Sequence, residues 1–302
     1  MMLASLAYRA LRASGLLALA RLLRSDGVIL CYHNVVPDGD SGPGNGLGLH
    51  MPRTNFERQV RWLTRRYEVV SLEEVVARRA RGASLRGVAA LTFDDGYAGV
   101  FTHAWPLLQQ LGVPATVFVV ANAPEEREGF WWDHPAVQGG QSAAQREEWL
   151  TILRGDRDAI LRAAGGTNGA APLPPALRPA DWDTIARAAR AGLGIGAHSA
   201  THRALPALDA SELQLEIVAA REIVKRHTGV TPQYFAYPYG LWNERLRESV
   251  RAAGYRAAFT LDHGRSAWAT SAWSLPRVNV PAGIGDAAFQ AWTAGLDLRR
   301  RA

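Results

Sequence analysis

Residues 87 to 97 read Gly-Val-Ala-Ala-Leu-Thr-Phe-Asp-Asp-Gly-Tyr. The first seven residues form the short apolar run that is typical of a buried strand. Two adjacent carboxylates, Asp94 and Asp95, follow directly, and Gly96 allows a tight turn after them. Open α/β sheets and barrels carry their active sites at such strand ends. Asp and Gly are also ordinary turn residues, so this stretch needs partners elsewhere in the chain before it indicates chemistry.

The same rhythm of apolar strand and amphipathic helix continues on both sides of this stretch. Strands alternating with helices favour parallel βαβ units over a sandwich or a helical bundle. The predicted strands are 27–32, 87–93, 115–120, 193–197, 234–237 and 257–261, and the predicted helices between or after them include 55–67, 101–111, 183–191, 211–227 and 243–253.

One segment departs from this alternation of strands and helices. Residues 121 to 180 contain a Gly/Ala/Pro-rich stretch and no clear strand, and we interpret them as an insertion over the site. We predict a basic amphipathic helix at residues 1–26 and one domain at residues 27–302 that carries this insertion.

Composition limits the function classes. The 302 residues have a net charge of +6, but the arginines are scattered and form no basic stripe interleaved with aromatics, so we expect no nucleic-acid partner. Cys31 is the only cysteine, which excludes an internal disulfide and a multi-cysteine metal site.

Leucines and arginines alternate through residues 1 to 24 at roughly helical spacing. This pattern fits a helix on an anionic membrane surface, and it equally fits a helix packed on its own domain. The apolar runs are too short for a membrane span or a secretory signal. We therefore expect a cytoplasmic protein, with peripheral contact at the inner membrane face as an option; the sequence leaves the oligomeric state open.

Two further strand ends carry polar or aromatic groups. His198 and His202 are four residues apart in Ala-His-Ser-Ala-Thr-His, a spacing that can present both imidazoles to one cation. The stretch Tyr237-Pro238-Tyr239 follows the strand 234–237. By itself it could be only a sheet edge.

Taken in order, Thr-Phe-Asp-Asp-Gly, His-Ser-x-x-His and Tyr-Pro-Tyr-Gly resemble the motifs of the polysaccharide deacetylases of the NodB-homology group, carbohydrate esterase family 4. Tyr-His-Asn-Val near the start, Phe-Trp-Trp-Asp in the insertion and Leu-Pro-Arg-Val near the end are similar to the branch that acts on exopolysaccharides containing N-acetylglucosamine. The resemblance implies a distorted (β/α) barrel, which agrees with the alternation above.

The resemblance also implies roles for the polar residues. It makes Asp95, His198 and His202 the ligands of one divalent metal ion and Asp94 the catalytic base. Such a ligand set leaves open positions for water and substrate, and it suits zinc, although nickel, cobalt and iron fit as well.

Substrate contacts follow from the same resemblance. It places the oxyanion-stabilising N–H at Tyr239, and Tyr237, Pro238 and Tyr239 in the wall of the sugar groove. Family members usually carry an Arg two residues before the Pro, whereas this chain has Ala236. We group Arg277 with the substrate-binding residues as the substitute that orients Asp94, and a plain surface arginine is the alternative. Trp132, in the insertion, is either a sugar-stacking residue or part of the core of a lid.

The proton donor has two candidates. Leu261-Asp262-His263 matches the family's late Leu-x-His pattern but lies one strand too early. His33 ends a strand of the expected character, and related exopolysaccharide deacetylases look circularly permuted, so we favour His33.

These residues predict a metal-dependent hydrolase that removes N-acetyl groups from an amino sugar in a polysaccharide or glycan. Deacylation of a lipid-linked sugar would use the same site. A non-catalytic carbohydrate-binding protein on the same fold is the alternative from another class, kept open by the missing Arg at Ala236.

Overall fold

The computed structural model describes residues 2–39, 47–126, 129–137, 141–166, 173–262 and 271–298, with side chains from residue 6 onward. Its strands are Val28–Tyr32 (β1), Asn34–Val36 (β2), His50–Pro52 (β3), Glu68–Val69 (β4), Val88–Phe93 (β5), Ala115–Val119 (β6), Gly194–Ala197 (β7), Tyr234–Ala236 (β8), Ala257–Phe259 (β9) and Val278–Asn279 (β10).

Helices alternate with these strands along the chain. The α-helices are Met2–Ala13 (α1), Leu16–Leu23 (α2), Arg53–Thr64 (α3), Leu72–Ala80 (α4), Trp105–Gln110 (α5), Ala123–Glu126 (α6), Ala143–Thr151 (α7), Arg157–Ala163 (α8), Trp182–Arg190 (α9), Ala210–Leu213 (α10), Ala220–Thr228 (α11), Glu244–Ala252 (α12) and Asp286–Thr293 (α13). A π-helical stretch, Gln214–Ala219, joins α10 to α11, so the helix predicted at 211–227 contains a local widening.

Eight of these strands form one curled parallel sheet in the order β10-β1-β5-β6-β7-β8-β9, with β4 beside the start of β5, while β2 and β3 pair with each other as a separate parallel sheet. The chain from Leu275 to Asn279 brings the two ends of this sheet together. Leu275 bridges Phe259 of β9, while Val278 and Asn279 pair with β1. The predicted distorted (β/α) barrel is confirmed, and its closure depends on this five-residue segment.

Two apolar layers hold the barrel. Small and aromatic side chains fill its interior, where Phe118 and Phe259 lie with ring centroids 5.6 Å apart. Helix α4 packs its buried residues Leu72, Val75 and Val76 against this interior cluster. Ser71 caps α4 by accepting a hydrogen bond from the Glu74 N–H. The opposite faces of the strands pack against the surrounding helices.

The insertion at 121–180 adds helices to the barrel. Its described part contains α6, α7, α8 and short 3₁₀ turns at Trp131–Asp133 and Pro175–Leu177. It returns to the barrel where Pro179 bridges Tyr97, two residues after Asp95. The insertion therefore reaches the end of β5.

The N-terminal segment forms two helices, where one was predicted. Gly15 adopts a left-handed φ of 76° between α1 and α2, which ends the first helix. Tyr8 and Leu17 are buried, and Arg24 donates to the carbonyls of Thr293 and Gly27. Within the described ranges, no helix combines the length and the apolar character needed to cross a membrane. The boundary between residues 1–26 and 27–302 stays a prediction.

Candidate active site

The ends of β1, β5, β7 and β8 meet at one edge of the barrel, as parallel strands require. They surround a cleft of about 130 Å³. Its lining residues come from these strand ends, from the segment before β3, from the insertion, from the segment after β9 and from β10: His33, Leu47, Leu49, Asp94, Asp95, Trp132, Arg146, His198, His202, Tyr239, Leu261 and Asn279.

Asp94 is held by a buried arginine. Arg277 donates to both of its oxygens, Nη1 to Oδ1 at 2.6 Å and Nη2 to Oδ2 at 2.7 Å. Burial alone would raise the pKa of Asp94, but Arg277 and then His198 lower it, and the net pKa lies below the usual range. Asp94 is therefore ionised at neutral pH, with its orientation set by a two-point contact.

Asp95 faces the two histidines. A left-handed φ of 71° turns the chain at Asp95. Its Oδ1 lies 3.4 Å from His202 Nε2 and 3.6 Å from His198 Nε2, and the two Nε2 atoms are 3.2 Å apart. His198 Nδ1 lies 2.8 Å from the Ala236 carbonyl. Because only a protonated Nδ1 can donate to a carbonyl, a neutral His198 exposes the lone pair of Nε2 to the cleft.

These three residues fit a divalent cation. Their ligand atoms all lie within 4.8 Å of one another. Asp95 Oδ2 is buried, and none of the described residues forms a hydrogen bond with it. Burial, and then the charges of Asp94 and Asp133, raise the pKa of Asp95 well above its usual value, while burial lowers the pKa of both histidines. A buried carboxyl group beside two neutral imidazoles is a donor set that a cation completes.

A second group of ligand-type side chains, Cys31, His33 and Asp94, lies next to the first. Arg277 already neutralises Asp94, and burial raises the pKa of the Cys31 thiol well above its ordinary value. The thiol instead contacts Asp94 Oδ2 at 3.3 Å. This second group therefore supports the carboxylate and does not fit a cation.

His33 lines the cleft beside Asp94, 61 residues away in sequence. Burial lowers the pKa of His33 to about 4, with Asp94 acting in the opposite direction. The other candidate donor, His263, lies outside the described residues. The choice between them stays a prediction.

The aromatic motif is placed differently from the prediction. Only Tyr239 of the three residues lines the cleft, and its φ of 59° is left-handed. Tyr237 is fully buried and donates its hydroxyl to the Trp273 carbonyl at 2.9 Å. Pro238 is buried at the start of a 3₁₀ turn. The predicted contacts of Tyr237 and Pro238 with substrate are corrected, because strand alternation turns Tyr237 into the helix-packed layer.

Arg277 also requires a correction. It is 1% exposed, so the surface alternative is excluded, and its Nη atoms are engaged by Asp94, so it is not a substrate contact. Its placement matches the other half of the prediction, an arginine that orients Asp94. Trp132 lies in the cleft wall, with its ring centroid 4.8 Å from that of His202.

Comparison with known proteins assigns the family. The profile of the polysaccharide deacetylase family matches residues 81–258, well over half of the chain. This chain belongs to the polysaccharide deacetylase family. Family membership makes it an enzyme, a hydrolase acting on acylated carbohydrate, and the site above occupies the end of the barrel where the family motifs converge.

Two curated relatives and one solved structure illustrate the similarity. The chain is 21% identical over 271 residues to YxkH of Bacillus subtilis (strain 168), covering 89% of this chain and 76% of that protein. It is 29% identical over 269 residues to the poly-β-1,6-N-acetyl-D-glucosamine N-deacetylase of Escherichia coli (strain K12), covering 83% of this chain but 36% of that protein. The structure of IcaB from Ammonifex degensii superposes with a TM-score of 0.61 at 22% identity, covering 90% and 98% of the two chains, which supports the fold.

Several residues around the cleft were not predicted from the sequence. Arg146 of α7 and Asn279 of β10 line it, and Cys31, His50, Tyr97 and Asp133 lie behind its walls. Asp133 and Tyr97 directly follow motif residues in Trp-Trp-Asp and Asp-Asp-Gly-Tyr, so a signal was present for both. His50 and Arg146 lie in segments with no motif of their own.

Arg277→Lys tests the two-point contact. Lysine keeps the charge but offers no planar fork, so we expect a folded protein whose turnover falls by about 10- to 100-fold. Arg277 lowers the pKa of Asp94. A weaker contact lets that pKa rise, and the acid limb of the pH–rate profile should move to higher pH. Arg24→Lys, also a buried arginine but remote from the cleft, is the control. A wild-type rate and profile for Arg277→Lys would contradict the assignment.

Proposed function

We propose that this chain is a metal-dependent N-deacetylase that removes acetyl groups from N-acetylated amino sugars of a polysaccharide. The observation that carries this proposal is the triangle of Asp95, His198 and His202 beside a separate, ionised Asp94. The name of the Escherichia coli relative, a poly-β-1,6-N-acetyl-D-glucosamine N-deacetylase, supports an amino-sugar polymer as substrate.

Asp94 is the base in this proposal. Asp95, His198 and His202 would hold a divalent cation, which when bound would supply Lewis acidity toward water and the acetamide carbonyl. Asp94 accepts the proton of the attacking water, whose oxygen forms the new bond to the acetamide carbon. The C–N bond then breaks, and the products are acetate and the free amine of the sugar. Arg277 matters here because it keeps Asp94 ionised and away from the cation.

Zinc is the cation we propose. One carboxylate oxygen and two neutral imidazoles form a donor set typical of catalytic zinc, with room for water and substrate. Nickel, cobalt and iron accept the same donors, so the loaded metal is a matter for direct measurement.

His33 is the proposed proton donor to the leaving amine. A nitrogen anion is a very poor leaving group, so cleavage needs an acid near the reacting nitrogen. With a pKa of about 4, His33 is neutral at neutral pH in the free protein. Negative charge that develops on the substrate as water attacks would favour its protonated form, so we place proton uptake by His33 after substrate binding.

Tyr239 and Trp132 form the proposed sugar wall. Both side chains face the cleft, and the ring centroids lie 6.2 Å apart at 78°. Aromatic faces at the mouth of a polar site suit the apolar faces of pyranose rings. We further assign the Tyr239 backbone N–H to the developing oxyanion, because Tyr239 lines the same cleft as Asp95 and its left-handed φ places it in a turn directly after β8.

The carbohydrate-binding alternative is weaker. Arg277 takes the place that Ala236 leaves empty, and no site residue is missing from the constellation. A binding protein would have no need for a base held ionised beside three ligand-type side chains.

We also propose that α1 and α2 contact an anionic membrane surface. Leu16, Leu19, Leu22 and Leu23 are each about half exposed or more, while Tyr8 and Leu17 on the other side anchor the helices. Residues 1–25 contain four arginines and no acidic residue. An apolar face flanked by cations is typical of helices that lie on anionic lipid. This surface favours a lipid-linked sugar as the second candidate substrate; the cytoplasmic location stays a prediction.

The first prediction from this proposed function separates metal binding from base catalysis at adjacent residues. We expect Asp95→Ala to lose bound zinc and activity together, because one of three ligands is gone. Asp94→Asn should keep zinc and lose activity by about 10³-fold or more, because the base is removed. Metal analysis of purified protein and acetate release from β-1,4- and β-1,6-linked N-acetylglucosamine oligosaccharides measure both effects. Unchanged zinc in Asp95→Ala, or full turnover in Asp94→Asn, would overturn the assignments.

The second prediction identifies the donor through the leaving group. His33→Ala should lower turnover of an N-acetylated oligosaccharide by about 10²- to 10⁴-fold, since amine departure needs a proton. Hydrolysis of an activated aryl acetate, whose phenolate leaves without one, should change little. His263→Ala is the control and should leave both rates near wild type. If His263→Ala, and not His33→Ala, lowered turnover of the N-acetylated oligosaccharide, His263 would be the proton donor.

The third prediction concerns the membrane surface. We expect Leu19→Asp/Leu22→Asp to reduce binding to phosphatidylglycerol-containing vesicles by at least about tenfold. Each leucine that moves from water into the lipid contributes about 2 kcal/mol to binding. Leu215→Asp is the matched control, since Leu215 is 65% exposed on a different helix. Co-sedimentation at several salt concentrations measures the binding. Equal losses in both variants, or no binding by the wild type, would refute the proposed contact.

A further inference from the structure

A chain of buried hydrogen bonds runs behind the cleft wall. Asn34 Nδ2 lies 3.1 Å from His50 Nδ1, and His50 Nε2 lies 2.9 Å from Asp133 Oδ1. Tyr97 donates its hydroxyl to Asp133 Oδ2 at 2.5 Å, and Trp132 Nε1 donates to the Tyr97 oxygen at 2.7 Å. The first four residues are fully buried and none of them lines the cleft, so the mechanism above leaves them without a role.

In each of these hydrogen bonds, the donor and the acceptor can be assigned. Asn34 Nδ2 also donates to the Ala176 carbonyl at 2.9 Å, which fixes the nitrogen side of the amide. His50 Nδ1 must then accept, so the proton of a neutral His50 lies on Nε2 and points to Asp133. Asp133 accepts from both sides, and the Tyr97 hydroxyl can accept from Trp132 only because it donates to Asp133. Asp133 is a buried carboxylate between two donors, and it therefore sets the direction of the hydrogen bonds on both sides of it.

Trp132 is the residue through which this row of hydrogen bonds reaches the cleft. Its ring stacks on Phe130 at 4.8 Å with an interplanar angle of 2° and meets His202 edge to face. Ring contacts tolerate sliding and rotation in the plane, whereas a hydrogen bond to Nε1 fixes the in-plane orientation. The indole forms part of the wall next to a metal-ligand candidate, so its orientation determines the shape of the cleft.

We propose that His50, Asp133 and Tyr97 are positioning residues that hold Trp132 as a rigid wall of the sugar-binding cleft. The inference rests on the proposed function and deepens it. It assigns substrate binding in part to residues that never contact substrate. It also gives the Asp of Trp-Trp-Asp a defined task, which is to accept the hydrogen bonds of Tyr97 and His50.

Tyr97→Phe is the most direct test. It removes one hydroxyl, keeps the ring and leaves both Trp132 Nε1 and Asp133 Oδ2 without this partner. We expect the KM for N-acetylglucosamine oligosaccharides to rise by about tenfold with a smaller change in kcat, because the indole N–H of Trp132 loses its Tyr97 acceptor and alternative indole orientations become accessible. Tyr255→Phe is the matched control. Its hydroxyl is also buried and donates to the Ile217 carbonyl at 3.0 Å, away from the cleft, so it should lower Tm without changing KM.

A double-mutant cycle shows whether the effect passes through the indole. Trp132→Phe lacks the Nε1 donor, and we expect Tyr97→Phe to change KM little further in that background. Asp133→Asn gives an independent reading at nearly constant volume, because its amide would offer a donor to Tyr97 where the carboxylate accepts. It should raise KM like Tyr97→Phe. Additive effects of Tyr97→Phe and Trp132→Phe, or a lowered Tm with unchanged KM, would overturn the proposal.

Binding in the Asp94→Asn background separates this inference from the proposed function. Calorimetry with the zinc-loaded Asp94→Asn protein measures oligosaccharide affinity without turnover. We expect about tenfold weaker binding when Tyr97→Phe is added. If Asp94→Asn binds the oligosaccharides and Tyr97→Phe leaves that affinity unchanged, the positioning role is wrong while the proposed substrate stands. If neither protein binds any oligosaccharide, the proposed substrate is wrong, and the positioning inference falls with it.

Discussion

The buried contact between Arg277 and Asp94 is the constraint on which the site depends. It joins residues 183 positions apart and crosses from the closing segment of the barrel to the end of β5. Removing one partner of a buried ion pair costs about 3–5 kcal/mol, because the other charge is left uncompensated. The same contact ties the closing segment of the barrel to the end of β5 and holds Asp94, so the orientation of this carboxylate depends on barrel closure.

Neighbouring carboxylates receive opposite environments from this arrangement. Asp94 has a guanidinium against it and a lowered pKa, whereas Asp95 has two negative neighbours and a raised pKa. Five non-glycine residues in the described chain have a left-handed φ, and four of them lie at the site: Asp95, Ser199, His202 and Tyr239. Such residues cost about 1–3 kcal/mol each and persist where surrounding packing enforces them. The backbone is therefore strained at the strand ends where Asp95, His198 and His202 converge.

The cleft wall is assembled from segments that are distant in sequence. His33 follows β1, Trp132 comes from the insertion and Tyr239 follows β8, while His50 and Asp133 support Trp132 from behind. The insertion is thus part of the site and more than a cover over it. Its aromatic residues pack against His202 and Tyr239, and its polar residue Asp133 binds back to the N-terminal strands.

The sequence by itself determined a parallel α/β fold and the placement of four polar site residues at strand ends, and the family resemblance of its motifs implied the barrel. Strand-helix alternation specifies a parallel α/β fold because each strand needs a crossover helix, and Asp94, Asp95, His198 and His202 lie at strand ends that such a fold brings to one edge. Tertiary structure decided the rest. Barrel closure decides whether Arg277 is a surface residue or the partner of Asp94. The turn after β8 decides whether Tyr237 or Tyr239 faces the cleft. The reason is physical: local pattern reports which face of an element is apolar, but long-range packing selects which polar groups meet.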